Sequence, residues 1–313
     1  MTQAEGAAGR APGRWTLVAI VIAVGIGWGS SHATGKMATE TGHGAFGIMF
    51  WQLVICTLLL GGVSLWRGKG LVFTPAAWRF YVVVALMGTI IPNYTFYTSV
   101  VHLPAGLMSI IIALIPMLSL PMAVAVGIDR FSAGRLAGLG LGLAGVAMIA
   151  APGGGGLPAG VSLGWLAVAL IGPLFYAMEA TFVARQGTAG MDAVQAMFGA
   201  SLVGMLICLP ILAVTGQGFV PGWPFGRADW ALVVMSASHA VLYATYVWLA
   251  MTAGAVFAAQ TSYIVTGSGV PWAMLLLGER FSPVVWAALV VMLAGVALVQ
   301  PRQRQAEEGA CSV

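Results

Sequence analysis

The side chains able to do chemistry in this chain are few, and they stand inside apolar sequence. His239, Tyr243 and Tyr246 occur at i, i+4 and i+7 in the run HAVLYATY, within roughly 60° of one another on a helical face. Trp28 and His32 stand at i and i+4, and Gln260 and Tyr263 lie three apart, with Thr266 and Ser268 close behind. Such imidazoles, phenols, amides and rings supply hydrogen bonds and apolar surface to a small molecule. Glu179 is the one carboxylate well inside an apolar run. Three roles are open to it: a proton-coupling acid, a partner for a substrate ammonium group, or a side chain that reaches water at the membrane edge and pairs with Arg185. His32, His239 and Glu179 fall on separate segments. No paired acid and base for an enzyme is legible, and no ligand-relay domain for a sensor.

Cys56 and Cys208 fall inside apolar runs and Cys311 lies near the end of the chain. That spacing gives neither a disulfide framework nor a metal site, so no metal and no cofactor is expected. The glycines of PGGGGLP at 152–158 lack the Lys-Ser/Thr of a phosphate loop. They read as a flexible link.

The elements that must position these residues follow from composition. Of 313 residues, 60% are hydrophobic and 7% charged, a surface unsuited to water. Crossing about 30 Å of hydrocarbon takes about 20 apolar residues of helix, and continuous runs of that length exclude a barrel. Ten such runs are present, at about 15–37, 44–66, 78–100, 104–127, 133–150, 161–184, 192–215, 229–251, 254–277 and 283–299. The first, preceded by Arg10 and Arg14, imitates a secretory signal. It is too long and lacks a small-residue cleavage pattern, so a retained helix is expected.

The net charge of +4 points to no nucleic acid once its arrangement is considered. With the N-terminus in the cytoplasm, the inner segments hold Arg10, Arg14, Arg67, Lys69, Arg79, Arg130, Arg135, Arg185, Arg302 and Arg304, and the outer ones only Lys36, Arg227 and Arg280. Positive charge collects on the cytoplasmic side of membrane proteins. Ten spans with both termini cytoplasmic satisfy that rule.

The chain also says one thing twice. Asp129 to Ser132 reads DRFS and Glu279 to Ser282 reads ERFS; the same offset pairs Gly145 with Gly295 and Pro121 with Pro271. Each half then holds five helices, an odd number, so the second copy enters the membrane inverted. Inverted copies can exchange conformations and give inward-open and outward-open states of similar energy. The same offset carries Thr89, Asn93 and Phe96, with Tyr97 beside them, onto the face of His239, Tyr243 and Tyr246.

The segments HLPAGLMSIIIALIPMLSLPMAVAVGIDRFS and MTAGAVFAAQTSYIVTGSGVPWAMLLLGERFS, each followed by a glycine-rich helix, resemble the EamA repeat of the drug/metabolite transporter superfamily. GWGSSHATGK at 27–36 looks like the opening motif of that family. The resemblance covers nearly the whole chain. It implies an all-α integral membrane protein of ten transmembrane helices in two inverted five-helix repeats. The expected division is an N-terminal tail at 1–14, repeats at 15–150 and 161–300, a linker at 151–160 and a C-terminal tail at 301–313, with both tails cytoplasmic. Within the family the chain is most similar to YddG-type amino-acid exporters.

The resulting expectation is a monomeric inner-membrane exporter of small metabolites, neutral or aromatic amino acids foremost, working by alternating access. Trp28, His32, Thr89, Asn93, Phe96, Tyr97, His239, Tyr243, Tyr246, Gln260 and Tyr263 are expected to line one central chamber. A competing placement has Trp28 and Tyr246 packed between helices or at the lipid interface. Glu179 and His32 are the candidates for coupling. His32 stands where small multidrug relatives carry a helix-one carboxylate. The alternative function is proton-coupled efflux of lipophilic cations. Pro92, Pro116, Pro121, Pro173 and Pro271 are candidate hinges, and Gly134, Gly138 and Gly142 form a packing seam.

Overall fold

A computed structural model describes residues 13–128, 130, 132–151, 155–157, 161–253, 257–258 and 260–299. Both tails, Asp129 and Phe131 of the first repeat motif, and part of the glycine link lie outside the described residues. The described chain is helical throughout: α1 (Arg14–Ala38), α2 (Ala45–Trp66), α3 (Pro75–Ala85), a π-helical turn (Leu86–Ile90), α4 (Ile91–Val100), α5 (Ala105–Ile111), α6 (Leu114–Ala125) and α7 (Ala133–Ala150) make up the first half. The second half holds α8 (Leu163–Gln186), α9 (Ala193–Thr215), α10 (Arg227–Ala253), α11 (Thr261–Leu277) and α12 (Pro283–Val299).

Local sequence sets the boundaries. Thr74 caps α3 by accepting from the Ala77 N–H at 3.2 Å, with Pro75 in the first turn, where its missing donor costs nothing. Asp192 caps α9 through the Gln195 N–H at 3.0 Å. Gly216 and Gly278 end α9 and α11 with φ of 65° and 66°, a left-handed turn that favours glycine. Two of the candidate hinge prolines coincide with interruptions. Pro92 follows the π-helical turn, and Pro116 follows the break between α5 and α6, each removing the donor that would continue the ladder. Pro121, Pro173 and Pro271 sit inside continuous helices.

Among the described residues, eight helices are long and apolar enough to cross a membrane, counting Pro75–Val100 and Ala105–Ala125 as one each. Two shorter apolar helices, α11 and α12, complete two sets of five. The chain is an integral membrane protein.

Close approaches at glycines show how the sets interlock. Gly25 and Gly29 of α1 lie against Ile264 and Ser268 of α11, so these helices run parallel. Gly27 and Gly35 lie against Leu242 and Met235 of α10, which runs the other way. The mirror of this arrangement occurs around α8, which packs on α6 and on α4, with Gly172 against Pro92 and Thr95. Gly61 against Phe198 pairs α2 with α9, and Gly138 against the Gly295 carbonyl pairs α7 with α12. Each half thus contributes equivalent surfaces, and the halves run in opposite directions. Gly138 and Gly142 serve packing, against α12 and Met117 of α6, whereas Gly134 faces open space.

Candidate functional site

Four helices bring polar side chains together in the middle of the bundle. Gln52 of α2 accepts hydrogen bonds from Asn93 Nδ2 at 3.0 Å and from the Tyr97 hydroxyl at 2.8 Å. Asn93 Oδ1 in turn accepts from the Tyr176 hydroxyl of α8 at 3.4 Å. One turn further along α8, Glu179 accepts a hydrogen bond from the Tyr243 hydroxyl of α10. A Cβ on Gly88, in the π-helical turn, would stand 2.9 Å from the Glu179 carboxyl carbon. The turn therefore brings backbone against the carboxylate with no side chain between them.

The rings gather around Tyr243. His239, one turn before it, lies 5.5 Å away between ring centroids, and Trp28 of α1 lies 5.9 Å from Tyr243 and 5.3 Å from Tyr246. Trp28 and Tyr246 thus meet where α1 faces α10, beside Tyr243. His32 meets Phe96 edge-on at 5.6 Å, and Phe96 meets Tyr97 at 5.3 Å. His32 Nδ1 is buried and has no hydrogen-bond partner among the described residues.

A small cavity opens among Gln52, Cys56, Thr89, Ser201, His239 and Tyr243. Its volume, about 10 Å³, is roughly that needed by one water, so an amino acid does not fit in this conformation. The expected single chamber is thus contracted, and not every expected residue reaches it. Gln260 is exposed at the start of α11, and Tyr263 packs against the apolar core of α5 and α6. Thr89 and Asn93 are buried with the cluster, and Phe96 is half-buried beside it. Of the three roles open to Glu179, pairing with Arg185 is not what the fold provides. The carboxylate is 8% exposed and turned to Tyr243, while Arg185 is exposed near the helix end.

Each end of the bundle is tied by charge. At one end, Glu279 accepts from Lys36 Nζ at 2.8 Å and from the N–H groups of Ala105 and Gly106 at 2.8 and 3.1 Å. Lys36 also donates to the Leu103 carbonyl at 3.1 Å. The ring of Phe281 covers Gly106, so the second copy of the doubled motif seals the start of α5. At the same end, the Gln217 side chain accepts from the Phe46 N–H and the Phe219 carbonyl accepts from Trp51 Nε1, at 3.0 and 2.8 Å. At the opposite end, Asp192 binds Arg67 and Lys69 at 3.1 and 2.6 Å. Burial would raise the pKa of Asp192, but the Lys69 bond, the Gln195 N–H and the two positive charges outweigh it and hold the carboxyl below its ordinary value.

The residues that sequence reasoning passed over are Gln52 and Tyr176. Gln52 is a lone amide in the apolar run MFWQLVIC, which is the signal that could have found it. Tyr176 stands three residues before Glu179 and hence on the same helical face. The Lys36–Glu279 pair, 243 residues apart in sequence, had no local signal.

Both halves match the model of the EamA-like transporter family, over residues 15–151 and 163–300. No curated protein matches the sequence. Among solved structures, 19 chains match. One, described only as "Crystal structure of protein", superposes with a TM-score of 0.60 at 18% identity, covering 91% of this chain and 96% of its own. At that identity the likeness shows the fold alone.

Proposed function

The chain belongs to the EamA-like transporter family, and from that premise we propose that it exports small metabolites, neutral and aromatic amino acids foremost, by alternating access through the central cluster. The observation that carries this reading is the convergence of Gln52, Asn93 and Tyr97 from one half with Tyr176, Glu179 and Tyr243 from the other. Buried polar groups in a membrane are expensive and line pathways, and amides and phenols beside rings suit a zwitterion with an apolar side chain. The exchange of equivalent helix surfaces between the halves supports rocking of one against the other. The contracted cavity then corresponds to a closed state, in which Lys36 and Glu279 fasten one end.

In this reading all ten helices span the inner membrane, the Lys36 end faces outward and both termini are cytoplasmic. The carrier acts as a monomer. Proteoliposomes assayed for uptake and counterflow of labelled aromatic amino acids test the proposal. His239→Ala and Tyr243→Ala should lower flux while leaving insertion intact. Wild-type flux in either correctly folded variant would place the route elsewhere.

A second reading, proton-coupled efflux of lipophilic cations, is favoured by Glu179. No Lys, Arg or His comes within ion-pair distance of it among the described residues. Dependence of dye efflux on a proton gradient would favour this reading, and gradient-free amino-acid counterflow the first.

A further inference from the structure

We infer that the central site selects substrates by a cationic nitrogen, with Glu179 as its counter-charge and the rings of Trp28, Tyr243 and Tyr246 as its walls. The inference rests on the transport reading above and names the substrate class of the same site. It begins with an imbalance among the acids. Glu279 has Lys36, Asp192 has Arg67 and Lys69, exposed Glu40 has Arg227, and Asp229, near the bundle end, accepts from the Gly226 N–H at 2.9 Å. Glu179 is the most buried acid of the described residues and has the Tyr243 hydroxyl as its hydrogen-bond donor. A carboxylate offers about four acceptor sites, so most of its capacity is unused, and an ionised carboxylate buried without a partner is destabilising. A cation seated beside it would offset that penalty.

The surroundings fit such an occupant. At Gly88 the carboxylate meets backbone and no side chain, since even a Cβ there would stand 3.0 Å from Oε1. The ring of Tyr243, whose hydroxyl holds Glu179, also faces Trp28, and Trp28 faces Tyr246. Ring faces within about 6 Å attract an ammonium through their negative quadrupole. The other titratable groups around the cluster are His239, His32, Tyr176, Tyr97 and Cys56. None of them is a fixed positive charge, because the described lysines and arginines sit at the bundle ends. An anion without a cationic nitrogen therefore finds no fixed counter-charge in the cluster.

The test uses three probes that share a phenyl ring: 2-phenylethylamine as cation, phenylalanine as zwitterion and N-acetylphenylalanine as anion. The purified protein in detergent is melted with each, and proteoliposomes are assayed for counterflow of each. The amine and the amino acid should raise the melting temperature and exchange, and the N-acetyl compound should do neither. Glu179→Gln should weaken half-saturation by the amine by about tenfold or more. Should that variant fail to fold, Gly88→Ala, which keeps the carboxylate but displaces it, should weaken the amine several-fold. Binding or exchange of N-acetylphenylalanine equal to that of the amine, or unchanged amine saturation in these variants, overturns the inference. Exchange of the anion alone would leave transport standing without the cation site. Glu179-dependent stabilisation by the amine without any flux would do the reverse.

Discussion

Asp192 shows what a single side chain contributes at the membrane edge. It caps α9 and binds Arg67 and Lys69 at once, so its carboxyl titrates below the ordinary value. Its stabilisation is fully present above the unfolded pKa of about 3.9 and is lost as pH falls through the lower folded pKa. The pair partners are partly exposed, with side-chain exposures of 38% for Arg67 and 45% for Lys69, so solvent screening limits the ionic part to about 1 kcal/mol. Asp192→Asn should therefore lower the melting temperature slightly at pH 7 and by less at pH 2 to 3. Melting curves in detergent at both pH values, with and without high salt, check this. Persistence of the full wild-type advantage at low pH would assign it to something other than charge.

Packing of whole helices depends on where a side chain is missing. A Cβ at Gly138 would stand 2.6 Å from the Gly295 carbonyl oxygen and 2.7 Å from a Val299 methyl group. A backbone oxygen cannot swing aside, so α7 and α12 must separate. Gly134, one turn away on the same seam, meets nothing within 4 Å. Gly138→Val should cost about 1–3 kcal/mol or more, the range for overpacking, and Gly134→Val little. Parallel thermal unfolding of the two variants separates a packing seam from a mere run of small residues. Equal melting temperatures would show that α7 does not rest on α12 as described.

At the scale of the whole molecule, one end is fastened by Lys36 of α1, Glu279 of the loop after α11 and the first amides of α5, groups that must part if that end is to open. Lys36→Ala or Glu279→Gln should favour the state open at that end. Cys56, 3% exposed beside the cavity, reports on it. In a chain lacking the other two cysteines, an impermeant thiol reagent applied from the Lys36 side should label Cys56 several-fold faster in either variant. An unchanged rate would mean that the pair does not hold the end shut. Reporter fusions at the two termini should both read cytoplasmic; opposite readings would refute an even number of crossings.

The sequence alone was enough for the apolar runs that form the two sets of five helices, and for the repeat at an offset of 150 that relates Pro121 to Pro271 and Gly145 to Gly295. Apolar length and periodicity are local properties, dictated by hydrocarbon thickness and helix rise. Local spacing also placed His239, Tyr243 and Tyr246 on one face. It could not say which faces meet, because helices of nearly uniform hydrophobicity carry little directional signal and are oriented by close packing at small residues. Tertiary structure therefore decided that Tyr243 binds Glu179 rather than leaving it to Arg185, that Gln52 joins Asn93 and Tyr97, that Gln260 stays outside, and that Lys36 finds Glu279. Each of these rests on partners far apart in sequence, set side by side only when the inverted halves interlock.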